Sequence, residues 1–88
     1  MNADSLNNLF LVLGKRCFKY GSITNAKSFQ NSNGQDCTKK RVNTGSVCTL
    51  ICEDSTTLVG DATLTCIEDT HEHDTVGEWE GTLGVCQS

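Results

Sequence analysis

The sequence predicts a small, disulfide-rich and mostly β domain, and three observations point to that class. The chain has only 88 residues, so folding buries about 60% of the surface that the unfolded chain exposes, and the core is marginal. Six residues are cysteines. After residue 17 the apolar residues recur in short runs typical of strands, broken by Gly, Asn, Asp and Ser. Cross-links are therefore expected to supply part of the stability.

Residues 1–16 are predicted to be an N-terminal extension that contains a short helix. Its apolar side chains fall at i, i+3, i+4 and i+7 and form one stripe: Leu6, Leu9, Phe10 and Leu13. Asp4 or Ser5 can cap the start of the helix, and Gly14 suits its end. Isolated helices this short are marginal in water. We therefore expect the stripe to dock on the domain, on a neighbouring domain or on a partner.

Two strands are predicted from alternation in residues 46–52 and 62–67. The positions that share a face are Cys48, Leu50 and Cys52 in the first, and Ala62, Leu64 and Cys66 in the second. Four residues of extended chain separate the Cα atoms of Cys48 and Cys52 by about 13 Å, so these two cysteines cannot pair with each other. Turns are predicted at residues 58–61 and 43–45, and the second can fold back as a hairpin between Cys37 and Cys48.

An even number of cysteines in so short a chain is typical of disulfides formed in an oxidising compartment. We therefore expect an extracellular or cell-surface location, as part of a longer chain in the secretory pathway. Zinc is an alternative, since Cys48-x3-Cys52 could be half of a metal site. However, His71 and His73 are separated by one residue, whereas zinc motifs separate their histidines by three to five. We expect neither a metal nor a cofactor.

Five short motifs together resemble the sushi (complement control protein) family. They are Gly45-x2-Cys48-x3-Cys52, Leu58-x-Gly60, Thr65-Cys66, Gly77-x-Trp79 and the final Cys86. The resemblance covers residues 17–86, and we assign the domain to residues 17–88. It implies a sandwich-like module of antiparallel strands with its termini at opposite ends. We place three residues in the structural core of this module: Trp79, Gly60 and Leu64.

The same resemblance implies the disulfide pairing. Sushi domains join their first framework cysteine to the third and their second to the fourth, and the sushi modules of selectins carry an added pair in similar places. The implied pairs are Cys17 with Cys66, Cys52 with Cys86, and Cys37 with Cys48. From the number of cysteines alone, fifteen pairings are open.

The charges are segregated along the chain. All seven basic residues lie between positions 15 and 41, and residues 53–80 contain nine acids and no Lys or Arg. Such asymmetry can steer encounter with a charged partner. The densest basic cluster is Lys39, Lys40 and Arg41, and we expect it to contact an acidic protein patch or, as in some sushi modules, a heparin-like glycan. The net charge of −4 argues against a nucleic-acid partner.

These observations predict an extracellular protein-recognition module of a larger secreted or cell-surface protein, such as an adhesion protein, a receptor or a complement-type regulator. A free-standing secreted inhibitor or toxin-like polypeptide is the alternative, and a zinc-binding domain is the third.

No run of apolar residues is long enough to insert in a membrane. The sequence has no spaced nucleophile and base, paired carboxylates or open metal site, so we expect no enzymatic activity. The acidic loop around His71 and His73 is interpreted as an exposed hydrophilic segment, with metal binding or pH sensing as its alternative.

Overall fold

The structure, a computed structural model, describes residues 16–68 and 77–88. Within these ranges the chain forms eight short strands and no helix. They are β1 (Arg16–Cys17), β2 (Ala26–Gln30), β3 (Val42–Asn43), β4 (Val47–Cys52), β5 (Thr57–Val59), β6 (Thr63–Ile67), β7 (Glu78–Glu80) and β8 (Val85–Gln87). The prediction of a small, mostly β and disulfide-rich fold is confirmed. The helix predicted in the N-terminal extension lies outside the described residues.

A four-stranded antiparallel sheet forms the centre of the molecule, with the strand order β2-β4-β6-β7. Cys48 lies opposite Leu64 across β4 and β6, and Cys66 lies opposite Trp79 across β6 and β7. Because successive side chains of a strand point to opposite faces, this register places Cys48, Leu64 and Cys66 on the same buried face. Leu50, two residues beyond Cys48, is buried on that face as well.

Two-stranded ribbons lie at the two ends of this sheet. At one end β1 pairs with β3, and the Cys17–Cys66 disulfide joins this ribbon to β6, with 6.0 Å between the Cα atoms. At the other end β5 pairs with β8, and the Cys52–Cys86 disulfide joins that ribbon to the end of β4, with 5.5 Å between the Cα atoms. The first and last described strands therefore lie at opposite ends of the sheet.

The three disulfides are the pairs that the sushi resemblance implies. The third joins Cys37 to Cys48 across 11 residues of sequence, and no cysteine is free. Five of the nine buried apolar residues are half-cystines; the other four are Phe29, Val42, Leu50 and Leu64. The core of the described chain is thus built around sulfur atoms with few large side chains, which is the pattern expected of a domain too small to fold on apolar burial alone.

The structure corrects two of the three assignments to the structural core. Leu64 is buried as predicted, but Gly60 is exposed. Its φ of +105° and its close approach to the backbone of Gly84 give it a conformational role instead. Trp79 packs against the core but is only partly buried, because β7 is an edge strand and leaves one side of the indole open.

Both predicted turns are also revised. Of residues 58–61, Leu58 and Val59 belong to β5 and pair with β8, so the change of direction begins only at Gly60. The turn at residues 43–45 is present, and the Ser46 amide donates to the Asn43 carbonyl at 3.1 Å. It does not close a hairpin, because β3 pairs with β1 while β4 pairs with β2 and β6.

Candidate recognition surface

Residues 16–21 and 37–43 run antiparallel beside each other and carry most of the basic side chains. Cys17 lies opposite Val42 in the β1–β3 ribbon. Further along, the Tyr20 amide donates to the Cys37 carbonyl at 2.8 Å. The Gly21 amide likewise donates to the Thr38 carbonyl at 3.1 Å. Between the Cys17–Val42 pair and this contact each segment contains three residues, and Lys39 and Lys40 lie in the second segment.

Asp36 holds the turn at residues 36–40, which carries Lys39 and Lys40 and which we call the basic turn. Its carboxylate accepts hydrogen bonds from the Thr38 hydroxyl at 2.5 Å and the Thr38 amide at 2.9 Å, and its carbonyl accepts from the amides of Lys39 and Lys40. The Thr38 hydroxyl and amide lower the pKa of Asp36, and the positive charges of Lys39 and Lys40 lower it further. The carboxylate therefore stays ionised and fixes the backbone that presents the two exposed lysines.

Arg41 stacks on Phe18 at the ribbon end of the same surface. Continuing the Cys17–Val42 register by one position places these two residues opposite each other, and the Arg41 Cζ atom lies 4.6 Å from the centre of the phenyl ring. This is a cation–π contact. The ring is 53% exposed. The Phe18 carbonyl accepts a hydrogen bond from Nε1 of Trp79 at 3.1 Å, which ties this segment to β7.

Tyr20 connects the surface to the core. Its ring lies 5.3 Å from that of Phe29 and 5.9 Å from that of Trp79, in tilted and edge-to-face arrangements favourable for aromatic pairs. Phe29 is 1% exposed, whereas Tyr20 is 40% exposed. The phenol is therefore anchored on one side and accessible on the other.

We call the resulting patch the basic–aromatic surface, and its members are Phe18, Lys19, Tyr20, Lys39, Lys40 and Arg41. All six are exposed. The sequence predicted only the last three. It did not indicate that the segment after Cys17 lies beside them, because that pairing depends on the register of a two-residue ribbon. The available signal was the placement of Lys19 between two aromatic residues.

The described residues show no comparable arrangement of side chains at the other predicted sites. The stripe formed by Leu6, Leu9, Phe10 and Leu13 and the two histidines of the acidic loop lie outside the described residues. The zinc hypothesis needs thiolates at Cys48 and Cys52, and both sulfurs are in disulfides. Residues 16–68 and 77–88 contain no cluster of three or more metal-ligating side chains.

Within these same ranges, no helix has the length and hydropathy needed to cross a bilayer. Comparison of the chain with protein-family models, with curated proteins and with solved structures found no match. The sushi resemblance therefore rests on the motifs and on the disulfide framework.

Proposed function

We propose that this chain is a sushi-like, non-catalytic recognition module of a secreted or cell-surface protein, and that it contacts its partner through the basic–aromatic surface. Three disulfides in a small domain are typical of extracellular proteins. One observation carries the proposal: four cations and two accessible aromatic rings lie together on two paired segments whose ends are held by disulfides. Aromatic and arginine side chains are enriched where proteins contact each other.

The charge of the surface indicates the partner. Asp36 is the only acid in residues 16–52, and its carboxylate is already engaged by Thr38. On these segments Lys19, Lys39, Lys40 and Arg41 place four positive charges against this one negative charge, on a chain whose net charge is −4. Such a patch attracts a surface of opposite charge and orients it during encounter. We propose an acidic patch on another protein as the partner, with a heparin-like glycan as the second source of the same anionic chemistry.

The experiment that tests this proposal compares two variants that lower the net charge equally. Lys39→Ala/Lys40→Ala removes two positive charges from the basic–aromatic surface, and Val59→Glu/Gln87→Glu adds two negative charges at exposed positions of the β5–β8 ribbon, at the opposite end of the sheet. Retention on a heparin column and binding to poly-L-glutamate are measured for both. We expect the first variant to elute at clearly lower salt and to lose most of its binding, while the second stays near wild type. Equal behaviour of the two variants, or no binding by the wild-type chain, would contradict the proposal.

A further inference from the structure

Arg41 differs from the other cations of the basic–aromatic surface because its guanidinium lies over an aromatic ring, that of Phe18. We infer that Arg41, stacked on Phe18, is the specificity-determining residue of this surface, and that it binds a carboxylate side chain on an acidic protein segment. This inference rests on the proposed function and names the group that the surface recognises.

The backbone on both sides of the Arg41–Phe18 pair is held in place. Val42, next to Arg41, is 1% exposed, and it pairs with Cys17, which is disulfide-bonded to Cys66. Phe18 follows Cys17, and its carbonyl is held by the Trp79 indole at 3.1 Å. The backbone that carries both partners is therefore held, and the guanidinium contacts the ring of Phe18. Less conformational freedom is lost when such a pre-organised group binds a ligand.

The Arg41 side chain is exposed, so a ligand can reach the guanidinium. Within residues 16–67 and 77–88, the one salt bridge is that of Lys27 with Asp54. The guanidinium carbon lies over the Phe18 ring, 4.6 Å from its centre, and the group carries five N–H donors in one plane. That planar arrangement matches the two oxygens of a carboxylate and allows paired hydrogen bonds. Lys39 and Lys40 carry compact charges on flexible stems and supply attraction without this geometry.

The rest of the surface favours a peptide over a polysaccharide. Phe18 and Tyr20 are 53% and 40% exposed and flank Lys19. Partly exposed aromatic rings contribute apolar contact area, which the side chains of a protein partner can cover. A carboxylate bound by Arg41 and apolar side chains packed on Phe18 and Tyr20 would together recognise an acidic segment that also contains apolar residues.

The test uses the full chain, two probes and three variants. The probes are a synthetic peptide of alternating Glu and Leu and a heparin oligosaccharide, titrated by calorimetry at several salt concentrations. Arg41→Lys keeps the charge but loses the planar donors, Phe18→Leu keeps an apolar side chain but loses the ring, and Lys40→Ala loses one charge alone. Because the three residues are exposed, the variants should fold, and matching amide NMR spectra verify this.

We expect Arg41→Lys to weaken peptide binding by about tenfold, the effect of losing one charge-assisted hydrogen bond. Phe18→Leu should weaken it because the cation–π contact is lost, and both variants should change heparin binding less. Lys40→Ala should weaken binding of both probes and reduce their salt dependence. Peptide binding by Arg41→Lys at wild-type strength would overturn the inference but leave the proposed function standing. If Arg41→Lys weakened heparin binding more than peptide binding, Arg41 would be assigned to sulfate recognition, and this would also overturn the inference. Wild-type chain that bound neither probe would refute the proposed function itself.

Discussion

Gly60 and Gly84 bring two stretches of backbone into contact where β5 leaves its ribbon. A Cβ atom on Gly60 would lie 2.8 Å from the Gly84 Cα atom, closer than a carbon contact allows. Gly60 also has a φ of +105°, which residues with a side chain rarely adopt. The sequence motif that contains Gly60 was interpreted as part of the core. Position 60 instead requires glycine because the backbones of Gly60 and Gly84 lie so close together.

Gly60→Ala should therefore destabilise the domain more than Gly34→Ala does. Gly34 also has a positive φ, +78°, but no atom lies within 4 Å of the position where its Cβ would be. Both variants place a side chain at a residue with a positive φ, and only Gly60→Ala also creates a steric clash, with the backbone of Gly84. We expect the free energy of unfolding to fall by about 1–3 kcal/mol more for Gly60→Ala, measured by urea denaturation. Equal losses would mean that the contact with Gly84 has no energetic effect.

Asp36 should make the basic turn sensitive to acid. The Thr38 hydrogen bonds lower the pKa of the folded carboxyl below its usual value near 3.8. The stabilisation that ionised Asp36 provides is thus present above that usual value and is lost as the pH falls through the lowered pKa. The Thr38 amide resonance should therefore titrate below pH 3.8, and Asp36→Asn should remove this transition. A transition in the wild-type chain above the usual value would contradict the assignment.

The predictability of each element depends on its length and its pairing. Alternation in β4 and β6 identified their buried faces, because Cys48, Leu50, Leu64 and Cys66 occupy every second position. The two ribbons contain strands of only two or three residues, so no periodicity marks them. They form because distant segments pair with each other, and a sequence pattern does not contain that information.

The candidate site was only partly predictable for the same reason. The basic cluster at residues 39–41 is visible in the sequence, but the contact between Arg41 and Phe18 arises from the register of β1 with β3. The anchoring of Tyr20 on Phe29 and Trp79 likewise joins three separate parts of the chain. Local composition therefore indicated the charge of the surface but not its aromatic half.

The Cys37–Cys48 disulfide fixes the segment that carries the basic turn, so its removal should affect both stability and order there. Cys37→Ala/Cys48→Ala opens a loop with a sequence separation of 11 and should lower the free energy of unfolding by about 3 kcal/mol in the chain-entropy model. Exchange of the Lys39 and Lys40 amides should accelerate more than exchange of amides in β6. Unchanged exchange in the turn, measured by NMR, would show that the turn keeps its order without this disulfide.

At the scale of the whole molecule, the disulfides supply stability that a larger hydrophobic core supplies in bigger domains. Cys17–Cys66 and Cys52–Cys86 attach the two ribbons to opposite ends of the central sheet, with sequence separations of 49 and 34. Each should contribute about 4 kcal/mol in the same model, a large share of the stability of a domain this size. The basic–aromatic surface lies on segments that Cys17–Cys66 and Cys37–Cys48 hold, so the proposed recognition should depend on the oxidised framework.

The intact mass under non-reducing conditions, followed by disulfide mapping of proteolytic peptides, tests this framework most directly. The account predicts a fully oxidised chain with Cys17 joined to Cys66, Cys37 to Cys48 and Cys52 to Cys86. Any other oxidised pairing would contradict the fold and would favour a free-standing secreted polypeptide of different topology. Free thiols with bound zinc would contradict the proposed extracellular location. They would also contradict the basic–aromatic surface, because disulfides hold the segments that carry it.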